Sequence, residues 1–240
     1  FIHPEWPAPR NVRAIVTTRR GGVSLPPYDS FNQAHHVEDD PAAVVYNRQL
    51  LAESLQLPAE PLWLEQVHGV QVVDTAQSMN NPRADAAFTN QKNKVCVVMT
   101  ADCLPMLICN QQGTQVAAAH AGWRGLHAGV IEATLAKFSD SPQKLLVWLG
   151  PAIGPDAFEV GEEVRNAFLQ DMPDANMAFR TNRPGHWLAD IYMLARLRLQ
   201  RYGVESIYGG NFCTYSDRER FYSYRRDGKT GRMASLIWRT

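Results

Sequence analysis

The order in which this chain alternates short extended runs with amphipathic stretches does most to limit its fold. Runs rich in β-branched and aromatic residues read as strands at Val12–Thr18, Val70–Asp74, Val95–Thr100, Gln115–Ala119, Leu145–Leu149, Glu205–Tyr208, Arg220–Arg225 and Met233–Trp238. Between them lie stretches of helical periodicity. Pro41 to Gln56 follows Asp39 or Asp40 as N-cap and aligns Val44, Leu51 and Leu55. Arg124 to Phe138 turns Leu126, Val130, Leu135 and Phe138 inward, and Glu162 to Gln170 is a shorter helix. Ala189 to Tyr202 aligns Ile191, Leu194 and Ala195, and Gly203 stops it. This order is neither a strict βαβ alternation nor an all-β run. It predicts an α+β fold whose helices cover the outer faces of mixed sheets. No repeat, low-complexity tract or linker interrupts it, so residues 1–240 read as one domain.

Charge narrows the partners. Lys and Arg number 24 and Asp and Glu number 24, for a net charge of zero. A nucleic-acid binder carries a basic excess or stripe, and a membrane-surface protein a basic amphipathic helix. Neither is present, and no apolar run approaches the ~20 residues of a membrane span. The expectation is no nucleic-acid and no membrane partner. The segment Phe1–Pro7 has neither the basic nor the apolar region of a signal peptide. Cys96, Cys103, Cys109 and Cys213 form no C-x-x-C pair. A cytoplasmic protein with reduced thiols is expected.

Familiar catalytic signatures are missing: no G-x-G-x-x-G, no G-x-x-x-x-G-K-[ST], no H-E-x-x-H and no G-x-S-x-G. What stands out is polar chemistry at strand ends. The run from Val95 ends in an Asp102-Cys103 corner, the run from Val116 ends at His120 before a glycine-rich turn, and His68 precedes Gly69. Rims of sheets are where sites are commonly built. Taken singly, each has a bland reading. A lone cysteine is usually a buried small hydrophobe, which is the reading of Cys96, Cys109 and Cys213. His3, His35, His36, His127 and His186 read as ordinary surface or core histidines. Separations of 35 and 17 residues between His68, Cys103 and His120 form no local chelate, and spacing alone does not group them. Gly122 and Gly125 at a helix start, with Arg124 beside them, make a turn suited to an anion. The Arg19-Arg20-Gly21-Gly22 turn raises the same possibility less specifically.

Together these motifs resemble the YfiH family, also called laccase-domain or multicopper polyphenol oxidoreductase proteins. The resemblance rests on Thr17-Thr18-Arg19, Gly21-Gly22-Val23-Ser24, Gln66-Val67-His68-Gly69, Arg83-Ala84-Asp85-Ala86, Thr100-Ala101-Asp102-Cys103, His120-Ala121-Gly122-Trp123-Arg124-Gly125 and Leu149-Gly150-Pro151. It extends through Tyr222-Ser223-Tyr224 and Gly231-Arg232-Met233. It implies a four-layer αββα sandwich with mixed sheets, akin to a cysteine-hydrolase fold shared with a bacterial deamidating toxin. It implies a zinc site whose ligands fall on His68, Cys103 and His120. The activities it implies are phosphorolysis of adenosine, inosine, guanosine and methylthioadenosine with inorganic phosphate, and adenosine deamination.

The chemistry agrees with that implication. Two imidazoles and a thiolate leave one position of a tetrahedral zinc open, as in catalytic sites. Zinc brings the pKa of a bound water to about 7. For phosphorolysis, Gly122, Gly125 and Arg124, or Arg19 and Arg48, are candidates to hold phosphate, and Asp85 or Asp102 to carry a proton. Three rival readings stay open. One is a Cys-His amide hydrolase that edits peptidoglycan precursors, with Cys103 as nucleophile and His120 as base. Another is a copper-dependent polyphenol oxidase, since two His and a Cys also build blue-copper sites, normally with a distant Met such as Met99 or Met106. The last is a nucleoside-binding or scaffold protein without catalysis.

Overall fold

A computed structural model describes residues 1–76 and 81–240. The strands are β1 (Val12–Val16), β2 (Val72–Asp74), β3 (Ala86–Thr89), β4 (Val95–Thr100), β5 (Leu104–Asn110), β6 (Val116–Ala121), β7 (Leu145–Leu149), β8 (Glu159–Gly161), β9 (Phe179–Arg183), β10 (His186–Ala189), β11 (Ser206–Gly209) and β12 (Met233–Arg239). The helices are α1 (Pro41–Leu55), α2 (Trp123–Ala128), α3 (Val130–Leu135), α4 (Glu162–Asp171), α5 (Ile191–Tyr202) and α6 (Tyr224–Asp227). A mixed sheet runs in the order β11-β7-β5-β6-β3-β2, with parallel pairs at both edges and antiparallel pairs between. A smaller antiparallel sheet has the order β1-β12-β4, and a third joins β8, β10 and β9.

Side-chain alternation along the buried strands sorts the core. On β4, Cys96 and Val98 enter a cluster with Leu107 and Cys109 of β5, Val116 and Ala118 of β6, and Ile237 of β12. This apolar layer lies between the two larger sheets. On its other face β4 turns Val95, Val97 and Met99 toward Leu51 of α1, Phe31 and Trp63. Leu104, Met106 and Ile108 of β5 and Ala117 and Ala119 of β6 face the opposite way, against Leu126, Ile131, Phe168 and Leu194 of the helices.

The expected helices are present, with informative changes. Asp40 caps α1 through Ala42 N–H at 2.9 Å, and Asp190 caps α5 through Met193 N–H at 2.9 Å. The Arg124–Phe138 stretch is two helices, because Gly129 takes φ 102° between them. Its four apolar residues still enter the core. The expected strand at Arg220–Arg225 is absent. There Asp217 closes a turn on Arg220 N–H, and the Ser223 side chain caps the short α6. Phe221 and Tyr222 are apolar because they plug a separate small cluster with Met233 and Ala101. β5 was hidden in the sequence, since it is buried throughout and shows no alternation of polarity.

A candidate metal centre

His68, Cys103 and His120 come together at one end of the layer between the two larger sheets, and one donor atom from each lies within 4.8 Å of the others. The strand period explains how His120 gets there. Val116 and Ala118 face the inter-sheet layer, so His120, two residues on, points the same way just before β6 ends. Cys103 sits in the corner between β4 and β5, and His68 on a turn ahead of β2.

Asp85 ties two of these three together. Its Oδ1 accepts from His120 Nδ1 at 2.8 Å, which leaves His120 Nε2 free as a donor to a metal. The same carboxylate accepts the main-chain N–H groups of Val67, His68 and Gly69 at 3.2, 2.9 and 2.7 Å. His68 itself has φ 60°, a left-handed backbone that costs a residue with a Cβ roughly 1–2 kcal/mol. The Asp85 bonds hold that turn in place. Gln66 adds a second clamp, since its side-chain amide both donates to Met99 O at 2.8 Å and accepts from Met99 N–H at 2.7 Å.

The Cys103 corner is also strained. Asp102 takes φ 91°, and backbone strain of this kind collects at functional sites. Its carboxylate accepts from the Thr214 hydroxyl and from Arg225 N–H, both at 2.6 Å, and its carbonyl from Ile153 N–H at 2.9 Å.

The donor set fits a metal ion. His68 Nε2 and Cys103 Sγ are 3.7 Å apart. Tetrahedral geometry with Zn–N of ~2.05 Å and Zn–S of ~2.3 Å puts the two at about 3.6 Å. The electrostatics of the metal-free groups point the same way. Burial pushes the Cys103 thiol up, but the charge of His120 and hydrogen bonds from His120 and His68 outweigh it and hold the thiol below its ordinary value. Burial lowers His120, while Cys103 and Asp85 raise it above the ordinary imidazole value. The Asp85 carboxyl is pushed up by burial and pulled below its usual range by His120, Gly69 and His68.

The glycines of the His120 turn have a packing reason. A Cβ on Gly122 would stand 2.8 Å from His68 Cδ2 and 3.0 Å from Cys103 Sγ, and one on Gly125 would stand 2.9 Å from Gly69 O. Arg124 is exposed and lies over the Trp123 ring at 4.4 Å. Arg19 is engaged elsewhere, with Asp29 Oδ2 at 3.1 Å and the Tyr222 ring at 5.0 Å. Arg48 lines a cleft of about 530 Å³ that reaches Gln66, two residues before His68. His36, Arg232, Thr214 and Arg225 were not singled out for the site by sequence, and the structure puts all four near it. Arg232 feels the charge of Cys103 and Asp102, and His36 that of Arg232, Arg48 and His120. The only available signal for Arg232 was its place in the Gly231-Arg232-Met233 motif. Of the two methionines weighed for copper, Met106 faces the helix-side core and Met99 Sδ lies 3.9 Å from Arg48 Nη2.

Comparison with known proteins bears on this site. The family model described as multi-copper polyphenol oxidoreductase laccase matches residues 13–240. A protein named purine nucleoside phosphorylase YfiH from Escherichia coli (strain K12) is 56% identical over 239 residues, covering 99% of this chain and 98% of its own. A purine nucleoside phosphorylase of Haemophilus influenzae is 49% identical with the same coverage. The crystal structure of a Neisseria meningitidis protein, 50% identical, superposes with a TM-score of 0.97 over 100% of this chain and 98% of that one. YlmD from Geobacillus stearothermophilus, 32% identical, gives 0.87 over 96% and 92%.

Proposed function

The chain belongs to the YfiH family, whose model bears the multi-copper polyphenol oxidoreductase laccase description, and from that premise we propose that it is a zinc-dependent purine nucleoside phosphorylase. The observation that carries the reading is the His68, Cys103 and His120 donor set, with His68 exposed and a cleft of nucleoside-accommodating size reaching Gln66 two residues away. The phosphorylase names of relatives at 56% and 49% identity support it. Adenosine, inosine, guanosine and methylthioadenosine are the proposed substrates, with adenosine deamination as a second activity. Residues 1–240 act as one domain. The proposed architecture is a four-layer αββα sandwich like the cysteine-hydrolase fold, with α1 and α2–α5 as its outer layers, and the apolar clusters on the faces of the two larger sheets support it.

In this reading a phosphate oxygen forms a bond to C1′ of the ribose while the C1′–N9 bond breaks. N9 takes the bonding pair, and the proton of the monohydrogen phosphate ends on the purine, so nucleoside and phosphate become ribose 1-phosphate and free base. Zinc, when bound, supplies a Lewis acid that stabilises developing negative charge. The chain supplies the rest. His68, Cys103 and His120 present the donors. Asp85 keeps the Nδ1 proton of His120 in place and so fixes which nitrogen faces the site. Asp102 holds the Cys103 corner against Thr214 and Arg225.

The test is adenine release from adenosine with and without inorganic phosphate. Release that requires phosphate and yields ribose 1-phosphate supports the reading. Equal release without phosphate, with free ribose as product, overturns it.

One arrangement favours a second reading. Asp85, His120 and Cys103 follow the order orienter, base and nucleophile of a cysteine hydrolase. Under that reading metal-loaded protein alkylates rapidly at Cys103 and loses activity with its zinc retained. Under the zinc reading the thiolate is protected until a chelator removes the ion.

A further inference from the structure

Two arginines beside the metal centre keep guanidinium donors without a hydrogen-bond partner among the described residues. Of the other partly buried arginines, Arg19, Arg198 and Arg226 pair with a carboxylate (Asp29, Glu132 and Asp227), while Arg165, Arg196 and Arg239 donate to amide or carbonyl oxygens. Arg48 and Arg232 are half-buried, and neither forms an ion pair among the described residues. Arg48 Nε and Nη2 donate to Gln33 O at 2.9 and 2.8 Å, and the Trp63 ring lies 3.7 Å from its guanidinium carbon. Its Nη1 has no hydrogen-bond partner among the described residues. Arg232 Nη1 donates to the carbonyls of Thr230 and Gly231 at 2.8 and 3.0 Å. Its Nε and Nη2, the side-on edge of the fork, are without partners there.

Gln33 brings the two together. Its carbonyl takes Arg48, and its N–H donates to the Arg232 carbonyl at 3.2 Å. Arg232 directly precedes β12, whose Met233 pairs with Thr100 at the end of β4, three residues before Cys103. Cys103 and Asp102 act on Arg232 ahead of Tyr224 and Tyr28. A bound metal takes the first, and the Thr214 hydroxyl and Arg225 N–H hold the second. Asp102 keeps its charge and Glu60 acts on Arg48, so the free guanidinium donors, rather than a net charge, mark this place. Their free donors are open to solvent and so to a small ligand, and a planar fork matches the oxygens of a phosphate.

We propose that Arg232 and Arg48, with His36 beside them, form the subsite for inorganic phosphate next to the metal centre, and that Arg19 and Arg124 do not take part. This deepens the phosphorylase reading and rests on it for the role of the bound ion, though not for the binding itself.

Zinc-loaded wild type, Arg232→Met, Arg232→Lys and Arg48→Met are titrated with inorganic phosphate by calorimetry, and KM is measured separately for phosphate and adenosine. Each Met variant is expected to weaken phosphate about tenfold to a hundredfold, the cost of losing charged hydrogen bonds. KM for adenosine should move less than about threefold, and zinc content should stay at wild type. Arg232→Lys should fall between, a charge without the fork. Phosphate affinity unchanged in Arg232→Met and in Arg48→Met overturns the subsite, even where phosphate-dependent cleavage persists. Arginine-dependent phosphate binding by a protein that does not cleave adenosine keeps the subsite and sinks phosphorolysis instead. A nucleoside 5′-monophosphate that binds with this arginine dependence while free phosphate does not would also overturn it.

Discussion

Asp85 and His120 are joined twice, by the carboxylate on Nδ1 at 2.8 Å and by the Asp85 carbonyl on His120 N–H at 2.7 Å. Because the same carboxylate also takes three N–H groups of the His68 turn, one buried acid fixes the aim of two donors from segments far apart in the chain. This relationship makes Asp85 a positioning residue in the proposed mechanism, with both oxygens committed.

Asp85→Asn should therefore act on metal binding. An amide keeps the size but presents an N–H where three N–H groups and an imidazole need an acceptor. Zinc affinity should fall about 10- to 100-fold, as for other partners that orient a ligand. Competition against a chromophoric chelator measures it. Wild-type affinity in the variant would show that His120 holds its orientation unaided.

Gly122→Ala tests the crowding at the centre. The added methyl would meet His68 Cδ2 at 2.8 Å and Cys103 Sγ at 3.0 Å, so a ligand must move. Zinc per chain should drop sharply while circular dichroism stays that of the wild type. Full occupancy would mean the turn relaxes at no cost to the centre.

The Cys103–His120 pair sets a pH dependence in metal-free protein. Its neighbours hold the Cys103 thiol below the ordinary value of about 8.5, so the thiolate persists as pH falls through 8 and 7. Alkylation at Cys103, mapped by peptide mass spectrometry, should keep most of its high-pH rate at pH 7. Cys96 and Cys109, whose thiols burial pushes up, should remain unmodified. In His120→Ala the Cys103 profile should shift to higher pH. An ordinary profile in the unaltered protein would contradict the coupling.

Gln66→Ala removes both arms of an amide clamp on Met99. Unpaired N–H and carbonyl groups there should cost about 1–3 kcal/mol of stability. Urea unfolding of the metal-free protein isolates that effect from zinc binding. A change below 0.5 kcal/mol, the usual scatter of surface substitutions, would mean that water replaces the clamp.

Much of the local structure was legible because its causes are local. Asp40 before Pro41, Asp190 three residues before Met193, and Gly203 after Tyr202 act within one helical turn. The apolar stripes of α1 and α5 are likewise written within a few turns. Where burial outweighs local preference, the sequence misled. Arg220–Arg225 has strand-like composition, yet Phe221 and Tyr222 are apolar in order to fill a pocket by Met233. Gly129 splits a stripe that reads as one helix, because only its backbone angle, not its polarity, changes there.

The sequence by itself determined the candidate donors. His68, Cys103 and His120 are reactive side chains beside strand ends and glycines, and their motifs carried the resemblance that joined them. Only the tertiary structure decided what surrounds them. Asp85 reaches His120 across 35 positions, Thr214 reaches Asp102 across 112, and Arg232 meets Asn32 across 200. No periodicity links residues at such separations. They meet because two sheets bury a shared apolar layer, and the ends of that layer bring together whatever polar groups the strand registers place there.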